Sequence, residues 1–545
     1  MLSYRESLLT GRTCLEEQSE NAHNMVKIKE ADMKSKKLLI PLTEFVEYMR
    51  EHVGLCFAVA FAVVLVYAKQ AFSTDFYIDA EVILNHPHTI YNWNQIGRFG
   101  LIALKYLVGN NWYNPYFEAV LFLVSLWGLG MGISCLFYGF YDRGREYVYF
   151  IFVALFLIFP TYADQFMFRF QSFETVFAML LVVLATRYFY LGVTEKNYWA
   201  YGLAIFLDVF SFGIYQSMVN LQICFYIAVY LFTVEQYERG ESRKLICCEL
   251  VHFLISFAVY GIIVKLFFDS GDYLSRQVGW FSGDLMSAVM NLLAYIKRIL
   301  LAMDNFYPIT YPACVCACMA MLLWKALCQR QKLLSYVIGF GGMLASPFFL
   351  ALATGTPSPY RAQCMLPFTC AVLWLFFASW LRERGGVRCA ACVILGCVFL
   401  LCQTSVLMRM FYTQDVIRDA DQIIAIQIIE RIQENSTPDS NKPVVFLGHL
   451  DAKGNGSCYT RAEAPSYLSY SVYEFAFIEG VPVETPEYFN TGRILGYFET
   501  LGFPYAAPSA AVVEEAKAAG AAMDCWPAAT SVQETQEYIV VKLSD

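Results

Sequence analysis

The chain predicts an all-α polytopic membrane protein of about eleven transmembrane helices, followed by a small extracytoplasmic α/β domain. Three observations carry that prediction. Of its 545 residues, 58% are hydrophobic and only 16% charged, a balance outside the range of soluble globular domains. Apolar segments of about 20 residues, the length that a hydrocarbon core about 30 Å thick demands of a helix, recur from Leu55 to Phe411. Beyond Tyr412 the pattern becomes that of a soluble domain.

Taken in order, residues 1–53 are polar and rich in Lys and Glu. They are expected to form a cytoplasmic tail ending in an interfacial helix over 38–52, "LLIPLTEFVEYMREH". The first span then serves as an uncleaved anchor. Spans are expected at about 54–72, 116–139, 147–161, 173–191, 197–213, 216–234, 246–268, 307–328, 333–353, 361–380 and 389–411, so that 54–411 is a multi-span membrane domain. Arg143, Arg145, Arg187, Lys196, Arg239, Arg243, Lys244, Lys325, Arg330, Lys332, Arg382, Arg384 and Arg388 fall in alternate connections. Cytoplasmic loops carry an excess of basic residues, which sets the N-terminus inside and the loops 73–115, 162–173, 269–306 and 354–361 outside.

With an odd number of spans, 412–545 also lies outside. It reads as a helix over Asp415–Gln433, a polar linker "ENSTPDSNK", a strand "PVVFLGH", a helix "SAAVVEEAKAAGAAM" and a closing strand "EYIVVKL". Cys458 and Cys525 sit in this region and, outside the cell, could form one disulfide. Most other cysteines lie within spans, where thiols act as small hydrophobes.

The net charge of −8 and the lack of a basic stripe exclude nucleic acid as a partner. The chemistry-bearing residues gather instead at the expected outer face. "STDFYIDAEVILNHPHTIYNWNQIGRFG" brings Asp75, Asp79 and Glu81 within seven residues of one another directly after the first span. One carboxylate of the three, held at the membrane face, could take the proton of an attacking hydroxyl. The same stretch supplies Trp93 and Arg98, whose guanidinium fork suits phosphate oxygens. Arg169, Arg276 and Arg361 fall in other outer loops or at outer span ends and could complete a phosphate site. Arg361 stands in "TGTPSPYRAQCMLPF", where prolines break the helix at a depth that requires burial in protein or a cavity wall. Asp164 lies in "TYADQFMFRFQSFE", and Asp208, Tyr215, Gln216, Asn220 and Gln222 form a polar group around "FGIYQSMVN". His86 and His88 have no third ligand nearby, so no metal and no cofactor are expected.

In order and texture ("TDFYIDAE", "WNQIGRFG", "FGIYQS", "SPYRAQCMLP", then an outer C-terminal domain) the chain resembles bacterial membrane glucosyltransferases of the type II serotype-converting kind, which modify O-antigen and related surface glycans. The likeness covers most of residues 40–500. It implies a glycosyltransferase C-like bundle in the bacterial cytoplasmic membrane, with its active site on the outer face. It also implies a polyprenyl-phosphate hexose, with glucose the expected sugar, as donor and a cell-surface polysaccharide as acceptor. In that superfamily a first-loop acid is the general base of an inverting transfer. The resemblance puts Asp79 first for that role, followed by Glu81 and Asp75. It gives Arg98 and Arg361 phosphate or pocket roles, with Trp93, Asp164, Tyr215 and Gln216 lining the pocket. Two other classes fit an arginine-lined outer cavity: a transporter or flippase for a lipid-linked sugar, and a polysaccharide polymerase or ligase.

Overall fold

The computed structural model describes residues 38–545 except 75–79, 141–144, 235, 237–238, 269–278, 282–284, 329–330, 438–439, 452 and 478–484. Asp75, Asp79 and Arg276 therefore lie outside the described residues. Helices dominate. In chain order, besides the single turn Asn92–Gln95, they are α1 (Ile40–Glu51), α2 (Val53–Phe72), α3 (Ala80–Asn85), α4 (Phe99–Val108), α5 (Pro115–Phe140), α6 (Glu146–Leu157), α7 (Tyr162–Phe166), α8 (Arg169–Thr194), α9 (Tyr198–Ile214), α10 (Met218–Thr233) and α11 (Arg239–Phe267). They continue with α12 (Leu285–Leu300), α13 (Thr310–Cys328), α14 (Leu333–Ala345), α15 (Phe349–Thr354), α16 (Met365–Arg382), α17 (Gly386–Asn435), α18 (Pro486–Thr500) and α19 (Ala510–Gly520).

Among the described residues, eight helical segments are long and apolar enough to cross a membrane, and four shorter apolar helices accompany them. A helix lies within each of the eleven segments expected as spans, but at three of them the helix is too short to count among the eight. The segments expected at 147–161, 197–213 and 216–234 are helices of 12, 17 and 16 residues. The first stops at Leu157 because Pro160 disfavours helical backbone in the residue before it. The second starts where the Asn197 side chain accepts from the amides of Trp199 and Ala200, and it stops at the extended Tyr215.

The centre of the bundle is α16, 78% buried along its apolar window, whereas α11 and the apolar part of α17 are only 17% buried and turn Leu254, Phe257, Leu266 and Leu401 outward. Such faces suit lipid. Inside, polar groups find partners across helices: Tyr48 Oη and Ser134 Oγ lie 2.6 Å apart, Tyr67 donates to the Leu157 carbonyl at 2.5 Å, and Gln70 donates to Gln414 at 3.2 Å. Lys105 on α4 and Glu174 on α8 form an ion pair at 2.6 Å with side chains 1% and 0% exposed.

Helix α17 runs for 50 residues without interruption. The sequence suggests a span ending near Phe411 and a separate helix from Asp415, but "MRMFYTQDVIRD" contains no Gly or Pro to part them. At 1.5 Å per residue the helix is about 75 Å long, more than twice the hydrocarbon thickness, so its last turns stand clear of the bundle. There it becomes part of the C-terminal domain. Asp421 accepts from Ser471 Oγ at 2.5 Å and from the amide of Val472 at 2.9 Å.

The domain is built on a three-stranded sheet of β1 (Val444–Leu447), β2 (Val532–Glu534) and β3 (Ile539–Lys542), in the order β1-β3-β2. Strand β1 pairs parallel to β3 with Val444 opposite Ile539, and β2 pairs antiparallel to it. All four residues of β1 and of β3 are buried, as expected of strands covered on both faces. Val445 and Leu447 pack with Val513 and Ala516 of α19, and Phe446 packs edge-on against Phe498 of α18. Cys458 and Cys525 are both free thiols, so the disulfide considered from sequence is not formed.

Glu534 anchors the linker of this domain. It accepts from the Thr437 amide and hydroxyl at 2.8 Å and pairs with Lys442 at 3.0 Å. The Lys442 ammonium first, and then the Thr437 donors, hold its carboxyl down at about 2.

Two predictions follow from these interactions. Lys105→Ala strands Glu174 in the core and should cost about 3–5 kcal/mol, whereas the paired apolar exchange Lys105→Met with Glu174→Leu should recover most of it; the thermal midpoints of the detergent-solubilised variants decide. A carboxyl lowered on folding stabilises above its unfolded pKa, about 4.3 for Glu, and that contribution disappears as pH falls towards 2. Hydrogen exchange of the β2 and β3 amides in the full chain should therefore quicken between about pH 4.3 and 2, and Glu534→Gln should flatten that dependence.

Candidate functional site: a guanidinium cluster under the C-terminal domain

Two glycine contacts build the site. Helix α4 lies so close to α9 that a Cβ on Gly100 would stand 2.6 Å from the Phe210 carbonyl oxygen, and one on Gly213 would stand 2.7 Å from the Phe99 ring. Only residues without side chains permit that approach. Gly97, at φ +78°, turns the chain immediately before Arg98. The "QIGRFG" and "FGIYQS" segments thus meet, and Arg98 is laid against Tyr215 and Gln216.

Arg98 Nε donates to Gln216 Oε1 at 3.2 Å, and its Nη1 donates to Gln171 Oε1 at 2.6 Å. Its guanidinium carbon lies 4.8 Å from the centre of the Tyr215 ring, within cation–π range. Gln216 in turn donates to the Ile96 carbonyl, which locks the turn that carries Arg98.

The second guanidinium arrives from the proline-broken segment. The Tyr360 ring is stacked on Phe306 with centroids 3.9 Å apart, and its hydroxyl donates to Asp304 at 3.1 Å. Arg298 pairs with the same carboxylate at 2.5 Å. Burial lifts the Asp304 carboxyl above the usual carboxylate range despite the pull of Arg298. With Tyr360 fixed, Arg361 follows. Its amide donates to Asp164 Oδ2 at 2.9 Å, its Nη1 stands 3.8 Å from the same oxygen, and its carbonyl accepts from Tyr215 Oη at 3.4 Å. The side chain remains 33% exposed, between the rings of Phe168 and Tyr467. Asp164 also accepts from Ser466 of the C-terminal domain.

Arg98, Tyr215, Gln216, Arg361 and Asp164 of the sequence-based candidates are therefore one connected group. Trp93 joins it through the backbone, its carbonyl accepting from the Arg98 amide at 2.9 Å, while its ring centre lies 5.9 Å from Lys105 Nζ. Asp208 and Gln222 do not join. Asp208 is sealed between α9 and α11 with Ser256 and His252 at 3.5 Å, and Gln222 donates to Thr186.

Two expected roles are not matched by the geometry. Arg169 donates to the carbonyls of Gln70, Ala71 and Ser73, capping the C-terminal end of α2 rather than presenting its fork to a phosphate. Glu81 is 4% exposed and paired with Arg493 of α18, while Asn85 donates to the Gly496 carbonyl at 2.9 Å, so this acid joins the first loop to the C-terminal domain. An ion-paired carboxylate is a weak proton acceptor. Gln171, which orients Arg98, was missed. An amide in an aromatic-rich loop carries no local signature, and only the folded position of α8 reveals its task. Among the described residues no group of three or more His, Cys, Asp or Glu side chains is arranged to hold a metal.

A larger cavity, of about 630 Å³, lies elsewhere, between α1, α5 and α8, with the Glu44–Arg187 ion pair in its wall. It shares no residue with the guanidinium cluster.

A family model described as "Glucosyl transferase GtrII" matches residues 36–378. The matched region contains every member of the cluster except Ser466 and Tyr467. No curated protein and no solved structure matches the chain.

Because the backbones touch at Gly100 and Gly213, Gly213→Ala should overpack the contact and destabilise the bundle by about 1–3 kcal/mol. Gly139→Ala, where a Cβ meets nothing within 4 Å, is the matched control. Equal thermal midpoints for the two variants would rule the contact out as a determinant.

Proposed function

We propose, for a chain that belongs to the GtrII glucosyl transferase family, that glucosyl transfer takes place at the guanidinium cluster from a polyprenyl-phosphate sugar to a hydroxyl of a cell-surface polysaccharide. The observation that carries this reading is that Tyr215 links the two arginines, its ring beneath the Arg98 guanidinium and its hydroxyl on the Arg361 carbonyl, while both side chains stay partly exposed. Two planar forks fit the oxygens of a phosphate, and their charge stabilises it as it leaves.

In the proposed reaction the acceptor oxygen attacks the anomeric carbon as the bond from that carbon to the phosphate oxygen breaks. Polyprenyl phosphate departs with the bonding electrons, the configuration inverts, and the acceptor's proton passes to a carboxylate. Asp79 and Asp75 are the proposed acceptors of that proton. Glu81 stands behind them because of its pairing with Arg493.

The membrane reading follows the same logic. The connections that carry Glu81, Asp164, Asn305 and Arg361 all meet the C-terminal domain, through Arg493, Ser466, Glu463 and Tyr467. Loops on one side of a bundle do this when an odd number of passes separates the N-terminal tail from 412–545. That supports an odd number of crossings, eleven in the proposed arrangement with three by short helices; the excess of basic residues in the other connections puts the N-terminus inside and the domain outside, in what is proposed to be a bacterial cytoplasmic membrane. A flippase would need a polar route to both faces. A polymerase or ligase would prefer a lipid-diphosphate oligosaccharide.

The test is turnover of synthetic polyprenyl-phosphate glucose by the full chain in nanodiscs. Arg98→Ala should lower kcat/KM by about 10²–10³, and Arg98→Lys should recover little of it because an ammonium has no fork. Asp79→Asn should lower kcat by about 10²–10⁴ with donor binding kept. Full activity with Asp75, Asp79 and Glu81 all neutralised would overturn the carboxylate's role, and leaflet exchange of intact donor without sugar transfer would favour the flippase.

A further inference from the structure

The first turn of α8 has two sides. Gln171 faces Arg98, whereas Phe170 and Ser172 line a separate recess together with Asn110, Trp112, Tyr113 and Glu118. We propose that this recess is a pyranose-binding site that holds the sugar ring beside the guanidinium cluster. The assignment rests on the glucosyl-transfer reading above for the expectation that a sugar is present.

Four observations carry it. Glu118 is 8% exposed and lines the recess with its carboxylate fixed by two donors, the Asn110 amide and the backbone N–H of Phe173 at 3.2 Å. Asn110 is 5% exposed, and its Oδ1 is a buried acceptor with no protein donor. A buried acceptor of that kind calls for a hydroxyl or water donor. Glu174, on the next turn of α8, is fully buried with its Oε2 in the same condition, while its other oxygen holds Lys105. The Asn110 acceptor in the recess, with the Glu174 oxygen close behind it, suits a ligand rich in hydroxyl groups. Trp112 is 72% exposed at the mouth, and Tyr113 packs on Phe170 with ring centres 5.1 Å apart. Aromatic faces at the mouth and carboxylate and amide oxygens beneath are complementary to the apolar C–H face and the hydroxyl edge of a pyranose.

The enclosed part of the recess is only about 30 Å³, room for about two waters and not for a sugar ring. A sugar therefore lies across the mouth against Trp112, with one hydroxyl reaching down to Glu118 and Asn110, rather than entering whole. The backbone fixes the relation to the cluster, because the residues on both sides belong to the same helical turn. The pyranose could be the glucosyl group of the donor or the terminal sugar of the acceptor, and the same contacts would serve either.

The experiment is photolabelling of the full chain in nanodiscs with a diazirine-bearing methyl glucoside, read by peptide mass spectrometry, with donor turnover measured in parallel. The expected result is labelling of the peptide spanning residues 106–118, reduced about tenfold by Glu118→Gln through loss of a well-placed hydrogen bond, and reduced also by Trp112→Ala. The second variant alters an exposed residue and covers the case in which the first fails to fold. Competition by polyprenyl-phosphate glucose assigns the recess to the donor sugar, and competition by an oligosaccharide of the envelope polysaccharide assigns it to the acceptor. Labelling that misses this peptide, or that both variants leave unchanged, overturns the proposal even if turnover is intact. Labelling of the recess without turnover leaves the sugar site standing and sinks the transfer reading instead.

Discussion

Asp164 is the point on which the functional end of the molecule depends. Its carboxylate is 2% exposed, and a buried charge is tolerated only when donors surround it. The donors come from distant stretches of chain: the amide and guanidinium of Arg361 and the hydroxyl of Ser466. One side chain thereby fastens the short helix α7, the proline-broken segment after α15 and the C-terminal domain to one another. The Glu81–Arg493 pair does the same for the first loop. Without these two carboxylates the bundle could still pack through its apolar interior, but the domain would have no fixed seat and Arg361 no fixed direction.

The second requirement is closeness. Arg98 reaches Gln216 and Tyr215 only because Gly100 and Gly213 let two backbones touch. Electrostatic stabilisation of a departing phosphate works when the cationic groups are already in place, since nothing then has to reorganise as the charge develops. Held by Gln171 and Gln216 and laid over an aromatic ring, the Arg98 guanidinium is fixed in place, as the proposed transfer requires.

The parts of this structure that follow from averages were legible in the sequence. Hydropathy summed over about 20 residues located the apolar helices, and strand and helix patterns located β1, β3 and α19 of the last domain. Arg98, Asp164, Tyr215, Gln216 and Arg361 could be chosen because polar residues at the ends of apolar segments are few. What could not be read were the partners. Arg169 differs from Arg98 not in local sequence character but in facing the open carbonyls of α2, nearly a hundred residues earlier. Glu81 looked like a candidate base beside Asp79, and its Arg493 lies 412 residues away. The helix expected over 147–161 was drawn too long because the boundary before Pro160 was not weighed, and α17 was divided because its apolar half and its amphipathic half look like different elements.

That undivided helix has a consequence for how the molecule must be assembled. A rigid rod that leaves the bundle at one end and carries the domain at the other couples height to angle. Each residue added between Tyr412 and Asp421 would raise the domain by about 1.5 Å and turn it by about 100°. Seven residues would nearly restore the angle but lift the domain by about 10 Å, two turns above its seat. Ser466 can meet Asp164, and Arg493 can meet Glu81, at one combination of the two. The length of α17 thus behaves as a phase, and the mouth of the site is in register with its roof only while that phase is kept.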